Sequence, residues 1–238
     1  MKDTSETTNY DSIADMYIAH TERPQSWNNL YERPYMISRF PLFKGKNILD
    51  VGCGSGFYSE YALRQGACVT AVDASRLLLD RLSARLNTPA LRTLRLDIAK
   101  TFPLDSDSFD YIICSLVLHY IKDWGSLLAE LHRVMKVGGQ MFASTHHPYL
   151  VLQYPLLKDI SYFDTVLVED TWGRGANSFK VHYYTRPLEA ILKPITSSRF
   201  KVVSIDEPLP DERCKNLSPR NFQRFTKVPG FLFITLEK

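Results

Sequence analysis

Residues 47–56 have the sequence Asn-Ile-Leu-Asp-Val-Gly-Cys-Gly-Ser-Gly, and this stretch decides the fold. Its first half is short and apolar, as in a buried strand, and three glycines follow. Glycine has no Cβ and tolerates a positive φ, so such a turn lets a ligand lie against the backbone. A helical pattern from Phe57 to about Gln65 ends at Gly66, a residue typical of helix C-termini. The stretch predicts a strand, a ligand-binding turn and a helix.

The alternation of strands and helices continues beyond Gly66. Four more strands are predicted, at Cys68–Val72, Leu91–Leu96, Phe109–Cys114 and Gln140–Ser144. Ser75 is a typical N-cap for the helix after the second strand. Strands separated by helices of this length form a parallel sheet with helices on both faces. Ligands bind such sheets at the carboxyl ends of the strands.

The chain on either side of this core has a different pattern. Two helices are predicted before it, and residues 146–186 form an aromatic insertion with two strands. A helix and two further strands follow. We expect a single domain with four parts: an N-terminal helical cap (1–45), a core (46–145), a substrate-side insertion (146–186) and C-terminal strands (187–238).

Composition excludes several classes of protein. The chain has 238 residues, 45% of them hydrophobic, and a formal charge of +3, which is too mild to indicate a nucleic-acid groove or a membrane surface. The polar N-terminus does not resemble a signal peptide. Four scattered cysteines suggest neither disulfides nor a zinc site. We expect a cytoplasmic protein that requires no metal.

The spacing of the glycines narrows the range of ligands that the loop could bind. The nicotinamide fingerprint G-x-G-x-x-G needs a glycine where this chain has Phe57; the third glycine comes one residue early, at Gly56. Asp73 ends the second strand, and its carboxylate offers two acceptor oxygens to the vicinal hydroxyls of a ribose. The loop and Asp73 together predict an adenosine-containing ligand.

At this point the sequence resembles the class I S-adenosylmethionine (SAM)-dependent methyltransferases, especially the broad group related to ubiquinone and menaquinone methyltransferases. The resemblance covers residues 46–145 and rests on five stretches in the expected order: 48–56, 71–73, 96–98, 109–119 and 131–139. Residues 230–236 resemble the antiparallel last strand of that family. The resemblance implies an α/β fold, a Rossmann-like doubly wound seven-stranded sheet that is mostly parallel with an antiparallel C-terminal strand, covered by N-terminal lid helices.

The resemblance also implies a cofactor, SAM, and the residues that hold it. Gly52 and Gly54 would cradle the methionine end, with Asp50 bracing the loop, and Asp73 would hold the ribose. Asp97 and Ile98 would contact the adenine, and Ser115 and Leu116 would border the sulfonium. The full predicted set is Tyr10, Tyr17, Asp50, Gly52, Cys53, Gly54, Asp73, Ala74, Asp97, Ile98, Ser115 and Leu116.

Histidines near the strand ends are candidate bases, because imidazole titrates near neutral pH. His147, after the fifth strand, is the first choice and His119 the second. Substrate contacts are predicted for Trp27, Tyr31, Arg33, Tyr149, Tyr183 and Arg186. We expect methyl transfer to an oxygen or nitrogen of a small molecule, with carbon left open, no nucleic-acid or membrane partner, and a monomer or homodimer.

Two other functions stay open at this stage. One is a nicotinamide-dependent oxidoreductase, against which Phe57 and the antiparallel last strand both count. The other is a non-catalytic SAM-binding protein, since the motifs predict binding and do not prove transfer. An RNA methyltransferase is disfavoured because no cluster of lysines and arginines is present.

Overall fold

A computed structural model describes residues 8–149, 157–173 and 175–238; residues 1–7, 150–156 and 174, in the predicted cap and insertion, lie outside it. The strands are β1 (Asn47–Val51), β2 (Cys68–Asp73), β3 (Leu91–Arg95), β4 (Phe109–Ser115), β5 (Met135–His146), β6 (Val166–Trp172), β7 (Phe179–Thr185), β8 (Lys201–Asp206) and β9 (Phe231–Glu237). The helices are α1 (Tyr10–Thr21), α2 (Arg33–Arg39), α3 (Phe57–Arg64), α4 (Arg76–Leu86), α5 (Trp124–Val134), α6 (Leu188–Thr196), α7 (Cys214–Leu217) and α8 (Pro219–Phe225). A π-helical turn, Asn28–Glu32, leads into α2.

One sheet of seven strands carries the fold, in the order β3-β2-β1-β4-β5-β9-β8. Strands β1 to β5 pair in parallel, whereas β9 runs antiparallel to both β5 and β8. The predicted fold class, a mostly parallel sheet with an antiparallel C-terminal strand, is confirmed. The order reverses between β1 and β4, so a crevice opens at their carboxyl ends.

Each face of the sheet is covered by helices, which explains the apolar character of its central strands. Ile48 and Leu49 are adjacent in β1, and both are fully buried, in hydrophobic clusters on opposite faces. Because both faces are buried, the strands are continuously apolar instead of alternating. No helix in the described ranges is both long and apolar enough to traverse a lipid bilayer.

The N-terminal helix α1 lies above the carboxyl ends of the strands. Asn9 caps it by accepting from the amide of Asp11. The carboxylate of Asp11 accepts from the hydroxyl of Ser75 at 2.6 Å and from the amide of Leu77 at 3.0 Å, which holds α1 against the start of α4. Strands β6 and β7 form a separate antiparallel hairpin. The hairpin packs against α1 through a third hydrophobic cluster instead of lying alone over the sheet edge.

Two elements differ from the prediction. Helix α5 ends at Val134, and β5 begins at Met135, five residues before the predicted start of that strand. The intervening residues form a bulge, since Met135 pairs with Phe109 and Gln140 with Tyr111. Helix α8 lies between β8 and β9, where no helix was predicted.

Candidate active site

The glycine loop between β1 and α3 is held to β2 by its own backbone. The amides of Gly52 and Cys53 both donate to the carbonyl of Val72, at 2.8 and 3.0 Å. The amide of Gly54 donates to the carboxylate of Asp73 at 2.9 Å. Because three consecutive amides are bonded, the loop has a fixed path beside the end of β2.

The three glycines of this loop meet different neighbours. A Cβ at Gly52 would lie 2.3 Å from the side chain of Val117, and one at Gly56 would lie 2.2 Å from a leucine of α4. Those two glycines are required for packing of the protein against itself. A Cβ at Gly54, where φ is +54°, would lie 3.2 Å from the hydroxyl of Tyr17 on α1. Gly54 is therefore the glycine that faces the space beneath α1.

Asp73 lies at the end of β2, and backbone amides orient its carboxylate. One oxygen accepts from Gly54, and the other accepts from the amide of Ser75 at 2.9 Å.

The phenols of Tyr10, Tyr17 and Tyr120 lie near this carboxylate. Burial, followed by neighbouring phenols and the charge of Asp73, raises the pKa of Tyr10 and of Tyr17; burial and Asp73 also raise the pKa of Tyr120.

The remaining predicted cofactor residues lie at the same end of the sheet. Asp50 is buried and accepts a hydrogen bond of 2.6 Å from Ser59, so it braces the loop through helix α3. Burial raises the pKa of Asp50 to about 7. Asp97 is exposed after β3, and Leu116, after β4, lines a large cavity.

This cavity, of about 500 Å³, lies between α1, the β6–β7 hairpin and α8. Much of its wall is aromatic: Tyr17, Trp27, Tyr120, Trp172, Tyr183 and Phe231. Polar side chains form about as much of the wall, among them Arg23, Asp170 and Asn221. A cavity of this size that combines aromatic walls with polar groups can hold a small molecule.

Two imidazoles, those of His119 and His146, stack in the wall of this cavity. Their centroids are 3.8 Å apart and their planes differ by 7°. Within the described part of the chain, both ring nitrogens of His119 and Nδ1 of His146 are buried without a hydrogen-bond partner. Burial lowers the pKa of His146 to about 4 and, with the charges of His146 and Arg186, lowers the pKa of His119. Both rings are therefore neutral near neutral pH.

His147, the first choice of base from sequence, lies outside this cavity. Its Nδ1 accepts from the amide of Tyr149 at 3.1 Å, and its Nε2 lies 2.5 Å from the carboxylate of Glu207. Because Nδ1 accepts, Nε2 carries the proton and donates it to Glu207. Neighbouring side chains of an extended segment point to opposite sides. The structure therefore replaces His147 by His146 as the residue that reaches the cavity, whereas His119 lines it as expected.

Of the six residues predicted to contact substrate, Trp27 and Tyr183 line the cavity. Tyr31 does not: its hydroxyl donates to the carbonyl of Pro208 at 2.7 Å, and its buried ring packs among phenylalanines of α8 and β9. Tyr149 is 45% exposed and also lies outside the cavity wall. Neither tyrosine is brought to the cavity wall, because a sequence pattern does not distinguish a core ring from a pocket ring.

The two predicted arginines are buried in other places. Arg33 lies over the ring of Phe57 at 4.0 Å and donates to the side chain of Asn29 at 2.6 Å. Arg186 donates to the carbonyl of Ile121 at 2.6 Å and lies outside the wall of the large cavity. Arg33 therefore stands beside the glycine loop, and Arg186 supports the loop after β4.

Sequence reasoning missed part of the cavity wall. Asp170 comes from β6, and Asn221 comes from α8. Pro219 at the first position of α8 was an available signal, since proline is favoured there. In the described ranges, no three His, Cys, Asp or Glu side chains are arranged to hold a metal ion.

Comparisons with known proteins agree with this geometry. The model of a methyltransferase domain matches residues 49–143. An uncharacterised protein of Haemophilus influenzae is 26% identical over 96% of this chain and 95% of its own length. The crystal structure of an S-adenosylmethionine-dependent methyltransferase from Mesorhizobium loti is 25% identical, covers 87% of this chain and 97% of that chain, and superposes with a TM-score of 0.70. The chain is a class I SAM-dependent methyltransferase.

This assignment replaces the two functions left open by sequence, a nicotinamide oxidoreductase and a non-catalytic binding protein. A ubiquinone biosynthesis O-methyltransferase of Sodalis glossinidius is 29% identical to the methyltransferase over 60% of this chain. The alignment spans 59% of that relative's own length, so the relative's activity and substrate are not assigned to this chain.

The loop of the methyltransferase fits SAM. A side chain at Gly54 would fill the space between the loop and α1, and Asp73 presents a partly buried carboxylate at the end of β2. A carboxylate there suits a ribose diol, and a bare backbone suits the methionine end. Gly54 and Asp73 are the residues that would hold the cofactor, and Leu116 lines the large cavity.

Proposed function

We propose that the methyltransferase transfers the methyl group of SAM to an oxygen or nitrogen of a small aromatic molecule bound in the 500 Å³ cavity. One observation carries the proposal: His119 and His146 stack in the cavity wall among aromatic side chains, and three of their ring nitrogens have no hydrogen-bond partner in the described part of the chain. A buried nitrogen without a partner costs about 1–3 kcal/mol, so a ligand that donates an O–H or N–H is favoured. Flat rings match the aromatic wall.

The residues of the cavity then have separate tasks. Bound SAM supplies a methyl group made electrophilic by the adjoining sulfonium. Trp172 and Tyr183 orient the acceptor, and orientation of this kind supplies up to about 7–11 kcal/mol. Helix α1 and the hairpin exclude water. His146 takes the proton of the acceptor at a ring nitrogen and releases it to solvent after transfer.

Two further observations concern the substrate, one its size and the other its acceptor atom. The cavity is bounded by α1, the hairpin and α8, which suits a compact molecule better than a polymer. The similar proteins named ubiquinone biosynthesis O-methyltransferases transfer to oxygen, which favours an oxygen acceptor here. We infer no nucleic-acid or membrane partner.

Adjacent histidines provide the test. Transfer from tritiated SAM is measured with a panel of small phenols and nitrogen heterocycles, for wild type, His146→Asn and His147→Asn. We expect His146→Asn to lower kcat by about 10²–10³-fold, the usual contribution of a general base, with unchanged SAM affinity. His147→Asn should change kcat only a few-fold, because that ring is bonded to Glu207.

Equal losses in the two variants would exclude His146 as the base. Methylation of RNA or protein, with none of the small molecules accepted, would overturn the substrate class. Methylation at carbon, with His146→Asn fully active, would overturn the acceptor and leave the cofactor assignment intact.

A further inference from the structure

Glu32 is a fully buried carboxylate that the predicted site does not include. It lies at the end of the π-helical turn before α2. Three hydroxyls donate to it: Tyr58 at 2.6 Å, Ser115 at 2.7 Å and Ser144 at 2.7 Å. Such a set of donors holds the carboxylate in one position and compensates part of its lost hydration.

The donors show where this charge lies in the fold. Tyr58 is in the first turn of α3, directly after the glycine loop. Ser115 ends β4, and Ser144 also accepts from the amide of Leu116 at 3.0 Å. Glu32 therefore connects the start of α3 with the ends of β4 and β5, between the residues that would cradle the methionine end and those that would border the sulfonium.

More buried carboxyl groups than buried cations surround Glu32. Burial, and then the charges of Asp73 and Glu32, raises the pKa of Asp50, so these three carboxylates lie close together. Within the described part of the chain, none of the three forms an ion pair with lysine or arginine. Arg33 is the nearby cation, and its guanidinium is engaged with Asn29 and the ring of Phe57.

We propose that Glu32 is a specificity-determining residue that makes the site favour SAM over S-adenosylhomocysteine (SAH). This inference rests on SAM being the cofactor. SAM and SAH share the adenosine and the amino acid and differ by one methyl group and the positive charge on sulfur. A fixed negative charge beside the residues that border the sulfur stabilises the cationic ligand. Once the methyl group has left, the sulfur is neutral, and this attraction is lost from the product.

The pKa of Glu32 is raised overall, so the carboxylate is ionised most readily at alkaline pH or beside a bound cation. Burial raises its pKa, whereas hydrogen bonds from Tyr58, Ser144 and Ser115, and the charge of Arg33, act in the opposite direction. A bound cation nearby favours the ionised form further. Binding is therefore best measured at mildly alkaline pH.

Calorimetry on the full chain tests the proposal with three probes: SAM, SAH and sinefungin, which carries an amine in place of the S-methyl group. In Glu32→Gln, the affinity for SAM relative to SAH should fall about tenfold, the effect of one pKa unit of charge interaction. The affinity for sinefungin relative to SAH should fall in the same direction. Ser144→Ala is the matched control, because it removes one hydrogen bond and retains the charge; its ratios should not change.

A second variant covers the case in which Glu32→Gln does not fold. Glu32→Met combined with Tyr58→Phe removes the carboxylate together with one of its three donors, which lowers the cost of leaving buried hydroxyls unpaired. It should show the same tenfold fall in ratio. If a folded variant without the Glu32 carboxylate binds SAM and SAH more weakly by the same factor, the proposal is wrong and the role of Glu32 is structural. Failure of wild type to bind either nucleoside would instead contradict the cofactor assignment.

Discussion

Gly54 combines a positive φ with a close neighbour, and each property limits its replacement. Its backbone is fixed by the bond from its amide to Asp73, so the loop cannot move to accept a side chain. Gly138 has a similar φ, +76°, and an added Cβ there would meet nothing within 4 Å. Comparing substitutions at the two glycines therefore separates the effect of backbone strain from the effect of a side chain that enters occupied space.

We expect Gly54→Val to lower SAM affinity at least about a hundredfold, or about 3 kcal/mol, while the protein stays folded. The branched side chain would occupy the space between the loop and Tyr17. Gly138→Val should carry comparable strain, about 1–3 kcal/mol, with normal SAM binding. Calorimetry and thermal melting of both variants measure this. Normal SAM affinity in Gly54→Val would show that the loop is not the cofactor cradle.

At the scale of elements, α1 connects the cofactor loop with the substrate cavity. Its Tyr17 faces Gly54 on one side and lines the cavity on the other. Two acidic residues of α1 contact α4 differently: Asp11 bonds to the first turn of α4, and Asp15 forms an exposed ion pair with Arg81. We interpret α1 as a lid that closes a dry site and opens for exchange of the cofactor.

Replacing the two acids separately tests the lid. Asp11→Ala should weaken SAM binding several-fold and lower the unliganded melting temperature by only a few degrees, since a lost helix cap costs about 0.5–2 kcal/mol. Asp15→Ala should change neither quantity, because exposed ion pairs contribute about 0–1 kcal/mol. If Asp11→Ala instead removes much of the unliganded stability, α1 is a permanent part of the core.

Over the whole molecule, buried acids and buried histidines respond oppositely to pH. Asp50 has a pKa of about 7 in place of 3.8, so the stability that it contributes is lost as pH rises across that interval. His146 has a pKa of about 4 in place of 6.5, so its contribution is lost as pH falls across that interval. Burial is the main cause of both shifts.

Removing each of these groups should therefore change the pH dependence of the melting temperature in opposite directions. Relative to wild type, Asp50→Asn should gain several degrees in melting temperature as pH rises from about 5 to 7.5, since 1 kcal/mol corresponds to about 2–4 °C for a chain of this size. His146→Asn should gain relative to wild type as pH falls across the same range. Each variant is the control for the other, and parallel curves would contradict the assigned pKa shifts.

Local sequence patterns were sufficient to predict the sheet and the position of the glycine loop. Apolar strands alternate with amphipathic helices, and a glycine loop follows the first strand; both are local patterns, so the order of elements and the position of Gly54 were predictable. Asp73 was predictable because it directly ends a strand. The insertion was predictable as a pair of strands, since each strand carries its own pattern.

The substrate end was decided only by tertiary structure. Whether His146 or His147 reaches the cavity depends on the side to which each points at the end of β5, and the contact with Glu207 comes from a distant loop. Tyr31 belongs to the core and Trp27 to the cavity, although both precede the sheet in one helical segment. The hydroxyl groups that donate to Glu32 come from three separate elements, β4, β5 and α3. A pocket is formed by residues far apart in sequence, so its composition depends on packing, which local patterns do not encode.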